Sequence, residues 1–102
     1  MRALKFNDVY KMSKILKKIK VSEEIELEGK TQTQVGVELF SGVIENLDKA
    51  QSEINEFLGE LVGISGEEFG NLPPDEFVKH IEDFKNQPGL DVFFKVAGRL
   101  MK

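Results

Sequence analysis

Residues 35–62 read VGVELFSGVIENLDKAQSEINEFLGELV, and the spacing of their apolar side chains decides the fold class. At 100° per residue, Val37, Leu39, Phe40, Val43, Ile44 and Leu47 fall within roughly 160°, opposite Glu38, Ser41 and Glu45. Ala50, Ile54, Phe57, Leu58, Leu61 and Val62 then share one face. Projected as a single helix the two faces coincide, so periodicity alone does not separate one helix of ~42 Å from two shorter ones. Asp48 with Gln51 three residues on has the arrangement of a capping box, which favours a break at Leu47 and Asp48.

Toward the C-terminus the punctuation is strong. Gly63 ends the helical run, and Ser65 with Glu68 repeats the capping box to open one turn through Phe69. Pro74 suits a first helical position with Asp75 and Glu76 behind it, and Phe77, Val78, Ile81 and Phe84 form the expected buried stripe of a fifth helix. Pro88 and Gly89 stop that helix. From Leu90 to Met101, the residues Leu90, Phe93, Phe94, Ala97, Leu100 and Met101 make one stripe, which Val92 and Val96 widen to roughly 200°. Asp91, Lys95, Gly98 and Arg99 are left as the wet side. So broad an apolar arc is either surrounded by its own domain or lends a face to a partner.

Toward the N-terminus, Val21 to Thr31 reads as an acidic connection, since a lone strand there has no evident partner for its hydrogen bonds. Before it, Asn7 is the expected N-cap of a helix that runs to Lys20, with Asp8 in the first turn, where negative charge suits the helix dipole. Val9, Met12, Ile15, Leu16 and Ile19 make its apolar face, and Lys11, Lys14, Lys17 and Lys18 occupy the other side. The expectation is an all-α fold, a small single domain of about five to six helices without substantial sheet. It divides into a basic amphipathic helix over 7–20, an acidic linker over 21–31 and a helical core over 32–102.

Composition narrows the function classes. The chain has 102 residues, no Cys and one His, which excludes a disulfide framework, Cys zinc sites and thiol catalysis, and fits a reducing cytoplasm. Lysines interrupt the N-terminal apolar residues, so a signal peptide is not expected, and no apolar run reaches the ~18 residues of a membrane span. Residues 1–20 carry seven basic groups and one acid, a net +6, and the other 82 carry seven basic and seventeen acidic groups, a net −10. That division marks either a basic arm for a polyanion or a chain whose ends attract each other or a neighbouring copy.

Chemistry finds little to use. His80 lacks organised companions, because Glu76 and Asp83 are only its i−4 and i+3 neighbours on a helix. The paired acids have no EF-hand spacing, and neither GxGxxG nor GxxxxGK[ST] occurs. No catalytic, cofactor-binding or metal-binding residue is therefore expected. A nucleic-acid surface on the Lys stripe, with Tyr10 projecting toward Lys14 and Lys17, is the competing reading, but the acidic remainder of the chain disfavours it. The better candidates for a partner-binding face are Val92, Val96, Phe93, Phe94, Leu100 and Met101 of the last helix, with Met12, Ile15, Leu16 and Ile19 of the first.

The succession IENLDKAQSEINEFLGELVGIS, GEEFGNLPPDEFVKHIEDFKNQPG and LDVFFKVAGRLMK, residues 44–102, resembles the small tail assembly chaperones of long-tailed bacteriophages and prophages. The likeness lies in Glu56 to Phe69, in the LP-x-DE helix start within Asn71 to Phe77, and in the FFK-x-V-x-x-L run from Phe93 to Leu100. RALKFNDVYKMSKILKKI at the N-terminus resembles the family more loosely. These are packing patterns, and the family has no catalytic residues or cofactors to carry over. The resemblance implies a helical protein of the bacterial host cytoplasm. Such a protein binds the tape measure protein, keeps it soluble and helps recruit tail tube protein around it. A structural subunit retained in the virion is the nearest alternative. Self-association is a further expectation, with the lysines of the first helix meeting acidic helices of another copy.

Overall fold

The periodicities above become six α-helices in a computed structural model, which describes residues 1–19 and 32–100. The acidic connection expected over 21–31, Lys20 and Met101 lie outside those residues. In chain order the helices are α1 (Phe6–Ile19), α2 (Gln32–Glu45), α3 (Gln51–Val62), α4 (Gly66–Gly70), α5 (Pro74–Lys85) and α6 (Leu90–Leu100), with a 3-10 turn over Leu47–Ala50. The described residues contain no strand, and the fold is all-α as expected.

The interruption between α2 and α3 is real, but its cause differs from the expected capping box. Asn46 leaves the helix at φ −122° and ψ 26°, and its side-chain amide donates to the Gly42 carbonyl at 2.7 Å. No side-chain cap opens either the 3-10 turn or α3, so Asp48 and Gln51 do not form their box. The turn instead buries Ala50 completely and packs against α1, so tertiary burial holds the break. At the other end of α3 the sequence signal holds. Gly63 takes the left-handed conformation at φ +85°, Ile64 N–H bonds to Gly59 C=O at 2.9 Å, and Gly63 N–H bonds to Glu60 C=O at 3.3 Å. This is a Schellman turn, and only glycine occupies its αL position without strain.

The chain then folds back sharply. Ser65 and Glu68 form both halves of their capping box and open α4, which lies across α3. A Cβ at Gly59 would stand 2.9 Å from the Ser65 carbonyl oxygen, and one at Gly66 would stand 2.8 Å from the Glu56 side chain. At Gly59 backbone would have to shift to admit a Cβ, and at Gly66 a Cβ would also press on Glu56 Cα and N at 3.1 Å, so α3 and α4 approach through glycine. Pro74 opens α5 as expected.

One cluster of buried side chains runs through the described residues, built from Met12, Ile15, Leu16 and Ile19 of α1, Leu39 and Val43 of α2, Ile54, Phe57, Leu58 and Leu61 of α3, and Phe93, Phe94 and Ala97 of α6. Helix α6 lies against both α2 and α1, and α1 reaches across to α3. Phe84 of α5 enters a ring cluster with Phe40, Phe57 and Phe94, at centroid distances of 5.8 to 6.0 Å. Edge-on geometry dominates it, each such pair adding about 0.5–1.5 kcal/mol beyond area burial.

Several faces need correction. Val37 and Val78, expected inside, are 60% and 52% exposed, because α2 and α5 each turn a narrower stripe inward than the sequence arc suggests. Gly98, expected on the wet side of α6, is buried. Helix α1 begins one residue before the proposed cap Asn7. Its Asp8 lies in the first turn as expected and is, in addition, buried.

Candidate functional site

Among the described residues Asp8 is the buried charged group, and it is fully engaged. Arg2 donates to both of its carboxylate oxygens, at 2.8 and 2.9 Å, and the Lys5 backbone N–H donates to Oδ2 at 2.8 Å. The Arg2 hydrogen bonds, aided by the Lys5 amide and outweighing burial, hold the Asp8 carboxyl below its ordinary range. Arg2 also reaches Glu60 at 3.3 Å, its backbone N–H bonds to Leu61 C=O, and its carbonyl accepts Gln87 Nε2 at 2.7 Å. The N-terminal arm thus straps α1 to the end of α3 and to the α5–α6 loop. Sequence reading missed this constellation, because nothing local links residue 2 to residues 60, 61 and 87.

The same contacts explain part of the charge division. Lys11 pairs with Glu60, and Lys18 pairs with Glu53 at 2.5 Å, so the basic helix meets acids of α3 within its own chain. Lys18, with Glu53's own backbone amide, lowers the Glu53 carboxyl. Lys14 and Lys17 stand exposed on α1 without an ion pair among the described residues.

Among the described residues no catalytic or ligating group gathers around His80. Its ring lies 5.8 Å from Phe69, Nδ1 is buried without a hydrogen-bond partner, and no carboxylate of the described residues orients it. Among the described residues no group of three or more His, Asp or Glu could hold a metal ion. No helix of the described residues is long and apolar enough to cross a membrane.

The partner-face candidates divide sharply. Met12, Ile15, Leu16, Ile19, Phe93 and Phe94 are all buried, the least of them 6% exposed, and serve the protein's own core. They leave the candidate surface for that reason. Val92 and Leu100 are 45% and 42% exposed, Val96 between them is half-buried, and Met101 lies outside the described residues. Val92, Val96 and Leu100 recur at i, i+4 and i+8 and so form one stripe along the outer side of α6, with Arg99 exposed beside it. A groove of about 450 Å³ opens where α2 meets the start of α6, lined by Val37, Phe40 and Leu90 with Ser41, Lys85 and Asp91 among its polar groups. Exposed Val37 helps to form it, which the helical arc alone did not indicate.

No family model matches the chain, and neither a curated protein nor a solved structure does.

Proposed function

We propose that this protein is a non-enzymatic assembly chaperone of a long bacteriophage tail. In this reading it binds apolar stripes of the helical tape measure protein in the bacterial cytoplasm, keeps that protein soluble and helps recruit tail tube protein. The outer stripe of α6, Val92, Val96 and Leu100, carries the reading: a helix already anchored by Phe93, Phe94 and Ala97 still presents apolar side chains at helical spacing. Such a row fits an amphipathic helix laid alongside it. The resemblance of residues 44–102 to tail assembly chaperones supports the same partner.

Binding by covering requires an outer surface that stays hydrated. Exposed acids of α3 and α5 and the lysines of α1 supply it, so a complex with a long apolar chain remains dispersed. Co-expression with the tape measure protein encoded beside it should move that protein from the insoluble to the soluble fraction, in a complex that co-purifies. An insoluble tape measure despite abundant soluble chaperone would overturn the proposal.

A further inference from the structure

The outer stripe of α6 has a charged border of a single sign. Lys95 stands at i+3 from Val92 and Arg99 at i+3 from Val96, so both line one edge of the apolar row, Arg99 exposed and Lys95 half-buried. Helix α1 packs against α6, and the two start from the same end, since the Gln87 side chain before α6 donates to the Arg2 carbonyl before α1. It adds Lys14 and Lys17, both exposed. None of these four cations has an ion pair among the described residues. The carboxylates of the two helices are engaged elsewhere: Asp8 is buried under Arg2, and Asp91 lines the groove toward α2. A chain of net charge −4 therefore presents four unpaired cations on and beside its exposed apolar row.

An apolar row edged by cations alone selects its ligand by charge as well as by shape. We infer that α6 takes an amphipathic helix whose apolar stripe is edged by Asp or Glu, with that acidic edge against Lys95 and Arg99. The choice of ligand rests on the reading of α6 as the tape measure face and narrows it. Of the apolar stripes along a long helical chain, those flanked by acids dock, and those flanked by lysine or arginine are refused, because like charges across a contact cost affinity. The lysines of α1 act at longer range, drawing an acidic segment toward a chain whose overall charge would repel it. Helix α5 has no such selectivity, since its exposed Val78 lies among Asp75, Lys79 and Glu82, charges of both signs. A nucleic acid fits the α6 face less well, because Val92, Val96 and Leu100 offer no ring on which a base could stack.

Fluorescence anisotropy of the full chain with two labelled synthetic peptides tests this. Both peptides are helices with the same leucine stripe, edged by Glu in one and by Lys in the other. The net charge of the chain alone favours the Lys-edged peptide, so a preference for Glu reports the local face. At low ionic strength wild type should bind the Glu-edged peptide roughly tenfold or more tighter, and the gap should close at high salt. In Lys95→Gln/Arg99→Gln, with an unchanged helical spectrum, the preference should be largely lost, and in Val92→Asp/Leu100→Asp neither peptide should bind. Equal binding of the two peptides, binding of neither by wild type, or a Glu preference undiminished in Lys95→Gln/Arg99→Gln overturns the inference. Displacement of the Glu-edged peptide by an oligonucleotide, or by a rise in chain concentration alone, would assign the face to a polyanion or to a second copy and overturn it too. The two readings fail separately. A tape measure fragment that binds wild type and Lys95→Gln/Arg99→Gln equally keeps the partner and removes the charge rule, whereas a Glu-edged peptide that binds where the tape measure fragment does not keeps the charge rule and removes the partner.

Discussion

Asp8 shows how a single position can carry a local and a long-range role at once. Its place in the first turn of a helix is legible in the sequence, because an acid there interacts favourably with the positive end of the helix dipole. Its burial is not, because the guanidinium that neutralises it belongs to an arm whose docking depends on Leu61 and Gln87. The folded carboxyl titrates below its ordinary value of 3.8, so the stability it contributes is fully present above that value and is lost as pH falls through the folded one. Asp8→Asn should lower stability at neutral pH by about 1–3 kcal/mol, since it replaces a charge-assisted pair with a neutral amide beside a cation that water still reaches. Urea titrations at neutral and acid pH check this, and the variant should lose less between them than wild type does. Parallel pH dependence in both would contradict the assignment. Replacing His80 should move stability the other way at neutral pH. Its Nδ1 is buried without a partner beside Phe69, so His80→Leu should leave stability unchanged or raise it by about 1 kcal/mol in the same titrations.

Among the elements, helices marked by local chemistry were the legible ones. The Ser65–Glu68 box, Gly63 and Pro74 each act within one turn and appear in the structure as read. The α2–α3 break was placed within two residues of Asn46 for a reason that does not operate, since burial of Ala50 rather than a cap fixes it. Helix α3 also hides a constraint that periodicity does not carry. Gly59 lies under the Ser65 and Ile64 carbonyls, at 2.9 and 3.0 Å from where a Cβ would stand. Gly59→Ala gains about 1 kcal/mol of helix propensity, but the clash is with backbone of the Schellman turn, and overpacking of this kind costs about 1–3 kcal/mol. The expected outcome is a net fall in thermal midpoint, and a rise would mean that the α3–α4 corner yields easily. Helix α6 separates core from surface most cleanly. Phe94→Asp places a charge at a fully buried site and should unfold the domain, whereas Val92→Asp, two residues away, should leave the helical circular dichroism intact. Equal unfolding by both would remove Val92 from the outer face.

At the scale of the molecule, the division between a basic N-terminal end and an acidic remainder resolves into two parts. Arg2, Lys11 and Lys18 are committed to Asp8, Glu60 and Glu53 of the same chain, which docks α1 and the N-terminal arm on α3. Lys14 and Lys17 stay outside, beside exposed Tyr10. Sequence arcs identified the amphipathic helices, but not how much of each arc the fold would consume. All the α1 candidates and both phenylalanines of α6 went to the core, and Val92, Val96 and Leu100 were left over. The proposed function therefore rests on three side chains rather than ten. Fully burying an exposed side chain of this size is worth about 1.5–3 kcal/mol, and Val92 and Leu100, 45% and 42% exposed, each have a little under half of that to gain on binding. Replacing both by Asp should weaken binding to a soluble helical fragment of the tape measure protein by roughly a hundredfold or more. The direct measurement is a calorimetric titration of that fragment into wild-type chain and into Val92→Asp/Leu100→Asp, with circular dichroism confirming that both are folded. Tight binding to wild type and its loss in the folded variant is the predicted result, and equal affinity for the two, or none for wild type, would contradict the account.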